Sequence, residues 1–168
     1  MRRFVGTIIV IMGLVGCGYK PASHMIRESV GDKISTQIVI SMTDPENSVL
    51  IKDALNQAVL TEFGSRIVPQ GASDTHIKVA LQSLSFVPLQ RDSQGYIIFY
   101  RTVSTLTFTV EDTKGGQKVI QTTGSYDFPI APSSIISEAA RYESIKESSA
   151  KAIEQFVARL AIESRIKH

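Results

Sequence analysis

Thr105-Leu106-Thr107-Phe108-Thr109-Val110 is a stretch in which apolar and hydroxyl side chains alternate. Because successive side chains of a β-strand point to opposite faces, this stretch predicts a strand with Leu106, Phe108 and Val110 on one face. The strand extends back to Tyr96 and is the longest that the sequence predicts. Residues 96–100 are apolar on both faces, so we expect both faces of this strand end to be covered. The cover is either the chain itself, as extra core beneath a loop, or a partner or lipid surface.

Two further strands flank this one. Residues 77–86 alternate, but the phase shifts by one residue, which predicts a β-bulge near Gln82-Ser83. Pro88 either ends that strand or marks it as an edge. Residues 91–95 and 114–116 read as hairpin turns, and residues 118–128 form the last strand, with Gly124 on its apolar face.

The remaining segments predict one more strand and two helices. Residues 34–42 alternate as a first strand, Asp44-Pro45-Glu46 is typical of a helix start, and Gly64 supplies its stop. A longer helix begins near Ser137. Its apolar stripe contains Ile145, Ser149, Ala152, Ile153, Phe156 and Leu160. The order predicts an α+β fold with two helices packed on one face of a four-stranded mixed sheet whose other face is rich in Thr, Ser and Gln.

The N-terminus carries a signal for export and lipidation. Arg2 and Arg3 precede an apolar run at residues 4–15 that is too short to span a membrane. Gly16 then precedes Cys17, the only cysteine, as in the lipobox of bacterial lipoproteins. We therefore expect residues 1–16 to be a cleaved signal peptide, 17–33 a lipidated N-terminus and tether, and 34–168 a single α+β domain. We expect a diacylglycerol and an N-acyl lipid on Cys17 as the only covalent groups. We expect no cofactor.

Position 18 and the charge balance indicate where the mature protein works. Gly18 replaces the Asp that favours inner-membrane retention, which predicts the outer membrane. The chain has 18 Lys+Arg and 16 Asp+Glu, and removal of Arg2 and Arg3 with the signal leaves 16 of each. The mature protein thus has no global positive field for nucleic acid, and a lipidated Cys17 leaves no thiol for a disulfide.

The sequence argues against an enzyme. His24, His76 and His168 lie far apart, so local spacing assembles neither a metal site nor a catalytic triad. Lys114-Gly115-Gly116-Gln117 lacks the Walker pattern and does not open a helix. His76 is most simply read as a strand residue.

Several stretches together resemble the LptE family, the lipoprotein subunit of the outer-membrane lipopolysaccharide translocon. They are the lipobox stretch Leu14-Val15-Gly16-Cys17-Gly18-Tyr19, the order of strands and helices, the charged turn at Arg91, Tyr100-Arg101, and Ala152-Ile153-Glu154-Gln155-Phe156. Asp44-Pro45-Glu46-Asn47 and Phe63-Gly64-Ser65-Arg66 resemble the version in Campylobacter-type bacteria. The similarity spans essentially the whole mature chain and, beyond the lipobox, rests on pattern and order.

The resemblance implies a protein that plugs the lumen of the LptD β-barrel, helps that barrel to assemble and binds lipopolysaccharide. Binding this lipid requires cations for phosphates beside apolar surface for acyl chains. Arg91 is the first candidate, because the family also carries a basic residue in this turn; Arg101, Lys114 and Lys118 are the others. The family's second basic position, near the start of the last helix, is not matched: Ser137 falls there and Arg141 lies one turn later.

A different function fits the same anchor and fold class. A periplasm-facing outer-membrane lipoprotein could instead regulate a cell-wall synthase or a secretion complex. The two hypotheses differ in partner, because only the LptE reading requires a large β-barrel and a defect in lipopolysaccharide transport when the protein is depleted.

Overall fold

A computed structural model of the protein describes residues 30–39 and 45–166. The predicted signal peptide, Cys17, the tether as far as residue 29, Asp44 and the last part of the predicted first strand lie outside the described residues. Val30 is buried against the domain at 4% exposure, so the packed part of the chain includes residues 30–33, which the sequence pattern predicts to be part of the tether.

The strands form one mixed sheet in the order β2-β1-β3-β4-β5. Their bounds are Lys33–Val39 for β1, Arg66–Ile67 for β2, Thr75–Arg91 for β3, Ile97–Asp112 for β4 and Gln117–Pro129 for β5. β1 is parallel to β2 and β3, whereas β4 is antiparallel to β3 and β5. The mixed sheet is confirmed, but the prediction of four strands is wrong, because the two-residue β2 adds a fifth. β3 has 17 residues against 16 in β4, so the prediction of the longest strand is also wrong.

The irregularities of β3 follow the sequence. The register shifts between Leu81 and Ser83, which confirms the predicted bulge. Pro88 does not end the strand, which continues to Arg91. In the described residues, β1 pairs with β3 only as far as Ala80, so Pro88 lies in the part of β3 where pairing is to β4 alone. A residue without an N–H is tolerated at such an edge.

Both long helices are confirmed. The first, α1, spans Pro45–Thr61, and Gly64 follows it with a φ of 61°. The second, α2, spans Glu138–Ile166, and Ser137 precedes it with its Oγ accepting a hydrogen bond from the Ala140 N–H at 3.2 Å. That bond satisfies one of the free amides of the first turn. A single 3-10 turn, Gln70–Ala72, lies between β2 and β3.

The helices cover one face of the sheet through an apolar core. Phe156 of α2 stacks on Phe108 of β4 with ring centroids 4.0 Å apart and lies 6.4 Å from Phe63, which follows α1. All residues of the predicted α2 stripe are buried. The alternation of β4 thus places Leu106 and Phe108 in the core, as predicted, while Thr105, Thr107 and Thr109 face away from the helices.

Candidate functional site

Two similar hairpins close opposite ends of the long strands. In the β3–β4 hairpin, Asp92 Oδ1 accepts from the backbone N–H of Gln94 and of Tyr96, both at 2.9 Å. In the β4–β5 hairpin, Asp112 Oδ1 accepts from Lys114 and Gly116, both at 2.8 Å. Gly95 and Gly115 occupy equivalent positions with φ of 88° and 86°. We call the β3–β4 end of the sheet distal and the β4–β5 end, where β1 begins, proximal.

The distal end contains a cleft of about 430 Å³ between the β3–β4 hairpin and the segment that joins β5 to α2. We call it the distal cleft. One cation, two tyrosines, two isoleucines and two serines line it, together with one glycine: Arg91, Tyr96, Tyr100, Ile97, Ile130, Ser133, Ser134 and Gly95. This composition combines a positive charge, hydroxyl groups and apolar walls in one concave surface.

Arg91 is held at the mouth of the cleft by its own hairpin. Its Nη1 donates to the carbonyl oxygen of Gly95 at 2.9 Å, and the residue is otherwise exposed. Among the described residues, no carboxylate forms an ion pair with Arg91. The guanidinium therefore keeps several donors for an anion, and its planar fork suits a phosphate or carboxylate.

The second wall of the cleft follows β5. The Ile130 N–H donates to the Ile98 carbonyl oxygen at 3.0 Å, which continues the ladder past the last strand residue. Ser133 then takes a φ of 60°, and the Ser134 N–H donates to the Ala131 carbonyl oxygen at 3.1 Å. This tight turn places both serines opposite the hairpin, although nearly forty residues separate the two walls in sequence.

An aromatic cluster supports the floor of the cleft. Tyr100 stacks on Phe128 at 6.2 Å, and Phe128 meets Phe86 edge-to-face at 6.5 Å. The guanidinium carbon of Arg141, from the first turn of α2, lies 5.0 Å from the centre of the Phe86 ring. Residues 97–100 are partly buried and Tyr96 is 45% exposed, so the chain covers this apolar strand end only in part.

The other three predicted cations do not join Arg91. Arg101 lies on the face of β4 that points away from the helices, where Asp127 accepts from its Nε and Nη2 at 2.6 and 2.7 Å. This paired hydrogen bond raises the pKa of Arg101 and lowers the pKa of the Asp127 carboxyl. Its charge is thus already matched, and an anion would have to displace Asp127.

Lys114 and Lys118 lie at the proximal end. The 16 residues of β4 span roughly 50 Å at about 3.3 Å per residue, so these lysines cannot share a small ligand with Arg91. Lys114 is in the exposed hairpin turn, and Lys118 forms an ion pair with Glu163 of α2. The binding roles of Arg101, Lys114 and Lys118 stay predictions.

The face of the sheet opposite the helices carries mostly hydroxyl and amide side chains in its middle. Thr105 and Thr123 hydrogen-bond across β4 and β5 at 3.1 Å, and Thr107 and Thr109 are partly exposed. We call this surface the open face. Toward the distal end it becomes more apolar, since Val87 is 43% exposed and Val103 is partly exposed.

His76 forms a buried polar network at the proximal end. Ser73 donates to the Gln70 carbonyl oxygen and Ser35 donates to Ser73, both at 2.8 Å, and the two ring nitrogens of His76 lie 2.7 Å from Ser35 Oγ and 3.2 Å from Gln37 Oε1. Burial, followed by the charge of Lys78, lowers the pKa of His76. The network ties β1 to β3 and makes His76 a structural strand residue. Among the described residues, no three His, Cys, Asp or Glu side chains are grouped closely enough to hold a metal ion.

Within the described residues, no helix is long and apolar enough to cross a membrane.

Comparison with known proteins shows the fold and the family. A putative lipoprotein from Caulobacter crescentus aligns with a TM-score of 0.58 at 15% identity, covering 89% of this chain and 98% of that one. Rare lipoprotein B from Shewanella oneidensis aligns with a TM-score of 0.54 at 17% identity, covering 81% and 99%. A lipoprotein B from Nitrosomonas europaea gives 0.53 at 14% identity, covering 80% and 84%.

At these identities the structures establish a shared fold. No curated protein matches the chain by sequence. The sequence model of the LptE family, described as lipopolysaccharide-assembly, matches residues 35–160, which is three quarters of the 168 residues. The matched region includes every strand from β3 to β5, the distal cleft and most of α2. The chain therefore belongs to the LptE lipopolysaccharide-assembly family.

Proposed function

We propose that the protein is an outer-membrane lipoprotein that plugs an LptD-like β-barrel, helps it to assemble and binds lipopolysaccharide in the distal cleft. The cleft is the observation that carries the binding proposal. It joins the Arg91 guanidinium, which forms no ion pair within the described part of the chain and suits a phosphate, to tyrosine and isoleucine side chains, which suit acyl chains. The protein acts by binding and positioning and performs no chemical reaction.

The two ends of the domain suit different tasks. Val30, the first described residue, packs at the proximal end, where its carbonyl oxygen accepts from Thr75 Oγ1 at 2.6 Å. With the signal peptide cleaved before Cys17 and Cys17 lipidated, the twelve residues 18–29 connect the lipid to this end and span at most about 43 Å. The lipid therefore anchors the end of the sheet that lies opposite the distal cleft.

The open face supports the plug proposal. The lumen of a large barrel is polar and holds water, and the hydroxyl groups of Thr105, Thr107, Thr109 and Thr123 can exchange hydrogen bonds with such a wall. A sheet face with few fixed charges also avoids the cost of desolvating charges inside the barrel. The ion pairs of Arg101 with Asp127 and of Lys78 with Glu111 lie on this face, and each is internally matched.

Lipopolysaccharide binding by the full-length lipoprotein in detergent tests the cleft. We expect Arg91→Asp to weaken binding at least about tenfold, because it replaces a phosphate-binding cation by a repelling anion. Lys52→Asp makes the same change of charge on the exposed side of α1 and is the matched control. Equal affinity and equal salt dependence for Arg91→Asp and wild type would remove Arg91 from the site.

Co-purification tests the barrel partnership. The tagged lipoprotein, extracted from the outer membrane with mild detergent, is expected to bring down a large β-barrel protein. Depletion is expected to reduce lipopolysaccharide at the cell surface. Recovery of a cell-wall synthase in place of a barrel, with normal lipopolysaccharide export, would support the rival reading and overturn this one.

A further inference from the structure

The two halves of α2 contact the sheet through chemically different side chains. The main cluster of buried apolar side chains takes its α2 members from residue 152 onward, among them Ile153, Phe156 and Leu160. Ile145 and Phe128 are buried but lie outside that cluster. α1 runs from the middle of the sheet back to its proximal end, so the distal half of this face is covered by residues 138–149 of α2.

Between the sheet and residues 138–149 of α2 lies a seam of buried hydroxyl groups. Its members come from the sheet and from α2, and each is at most 2% exposed: Thr102, Ser104, Thr122, Ser144, Ser148 and Ser149. Only two of their hydrogen bonds cross the seam in the described chain, Ser104 to Ser148 at 2.6 Å and Thr122 to the Ala152 carbonyl oxygen at 2.7 Å. We call this group the hydroxyl seam.

The helix serines do not depend on the sheet for hydrogen bonds. Ser144 Oγ donates to the Arg141 carbonyl oxygen at 2.9 Å, and Ser148 Oγ donates to the Ile145 carbonyl oxygen at 3.1 Å. Within the described residues, Thr102 Oγ1 and Ser149 Oγ are fully buried without any hydrogen-bond partner. Because an unpaired buried hydroxyl is unfavourable, separation of this half of α2 from the sheet relieves two unfavourable burials, which offsets part of the cost of exposing Ile145.

The seam adjoins the distal cleft. Thr102 pairs in register with Phe86 on one side and Tyr126 on the other, which directs its hydroxyl beneath α2. Phe86 and Phe128 belong to the aromatic cluster that reaches the cleft through Tyr100. Lifting the first turns of α2 would therefore extend the cleft over an aromatic floor.

We propose that residues 138–149 of α2 form a lid, which lifts along the hydroxyl seam and opens an apolar extension of the distal cleft for an acyl chain. The contact of Arg141 with Phe86 closes the lid at its distal end. This inference rests on the proposed lipopolysaccharide site and adds a moving part to it. The rest of α2 stays fixed, because Phe156 and its neighbours hold it in the main core.

A reversible cross-link tests the lid. Ser104→Cys/Ser148→Cys joins sheet and helix where the two hydroxyl oxygens are 2.6 Å apart, which is close enough for a disulfide with little backbone movement. Thr105→Cys/Thr123→Cys, with oxygens 3.1 Å apart on the open face, is the matched control that leaves α2 free. Both are made in the full-length lipoprotein, and mass spectrometry verifies each disulfide.

Binding is compared for rough lipopolysaccharide and for the same glycolipid with its acyl chains removed. We expect the oxidised Ser104→Cys/Ser148→Cys protein to bind the acylated lipid about tenfold more weakly than its reduced form and the deacylated one equally well. The oxidised control is expected to bind both as its reduced form does. Unchanged binding of the acylated lipid by the locked protein would overturn the lid.

Amide hydrogen exchange tests the lid without any ligand. In wild type we expect residues 139–149 to exchange at least about 100-fold faster than residues 152–160, and the 104–148 disulfide to remove most of that difference. Uniform exchange along α2 would overturn the proposal. If no form bound either lipid, the proposed function would fail, and the exchange measurement would still decide whether α2 opens.

Discussion

Gly124 permits a close approach between the sheet and α2. A Cβ at this position would meet the Ser148 carbonyl oxygen at 2.0 Å and the Ala152 nitrogen at 2.4 Å, and both are backbone atoms that cannot rotate away. We predict that Gly124→Ala lowers the free energy of unfolding by about 1–3 kcal/mol, measured by urea denaturation.

Gly71→Ala is the matched control for this substitution. Gly71 lies in the 3-10 turn with no heavy atom within 4 Å of the added Cβ, so we expect a change of at most about 0.5 kcal/mol. Equal stability of the Gly124→Ala variant and wild type would contradict the close packing described here.

His76 makes stability depend on pH. Its pKa in the folded protein lies below the ordinary value of 6.5, so the unfolded chain takes up the proton first as the pH falls. The stabilisation is therefore complete above about pH 6.5 and is lost progressively below it. We predict a lower free energy of unfolding at pH 5 than at pH 7.5, measured by urea denaturation at both values.

His76→Gln isolates this contribution. The charged neighbours of His76 are Lys78 and Glu111, and hydrogen bonding to Lys78 lowers the pKa of the Glu111 carboxyl, which therefore stays ionised between pH 5 and 7.5. The difference between the two pH values is expected to shrink in the variant. An identical pH dependence in both proteins would assign the effect to other groups.

At the scale of elements, the two hairpins permit a paired test of how the cleft is positioned. Asp92→Ala and Asp112→Ala each remove a carboxylate that accepts two backbone N–H groups, and each is expected to cost about 1 kcal/mol of stability. Only the Asp92 carboxylate orders the turn between Arg91 and Tyr96. We predict that Asp92→Ala weakens lipopolysaccharide binding severalfold.

Asp112→Ala serves as the control, because it loosens an equivalent turn at the other end of the sheet. Its binding is expected to match wild type in the same assay. Equal losses of affinity in the two variants would indicate a general effect of stability and would separate the β3–β4 turn from the binding site.

The elements that sequence patterns predicted are those with many residues on a buried face. The alternation of β4 and the phase shift near Gln82-Ser83 report directly on contact with the core, and both were confirmed. β2 was missed because it has two residues, Arg66 and Ile67, both exposed and without any periodicity. Its pairing with β1 depends on the chain path after α1, which no local pattern encodes.

The sequence pointed to one wall of the distal cleft. Arg91 stands in a recognisable turn beside an unusually apolar strand end, so its chemistry, its position and the family resemblance made it the first candidate. Ile130, Ser133 and Ser134 were missed, because they reach the cleft only through the pairing of β4 with β5 and a turn with a positive φ at Ser133. The ion pair of Arg101 with Asp127 likewise arises from strand register.

For the molecule as a whole, one ring joins the sheet to both helices. Phe156 contacts Phe108 in β4 and Phe63 after α1, and it is fully buried. We predict that Phe156→Ala lowers the free energy of unfolding by about 3–5 kcal/mol in urea denaturation, because it leaves a cavity among three elements. Tyr142→Ala, at a position on α2 that is 54% exposed, is the control and is expected to change stability by about 0.5 kcal/mol or less.

The length of the sheet has a consequence for transport across a membrane. The hydrocarbon core of a bilayer is about 30 Å thick, and the full bilayer with its headgroups about 40–45 Å, whereas β4 alone extends roughly 50 Å. A domain that enters a barrel end-on with its lipid in the inner leaflet would thus carry Arg91 to the depth of the outer leaflet. Under the proposed function, one sheet would then span the distance from the leaflet of the lipid anchor to the leaflet into which lipopolysaccharide is inserted.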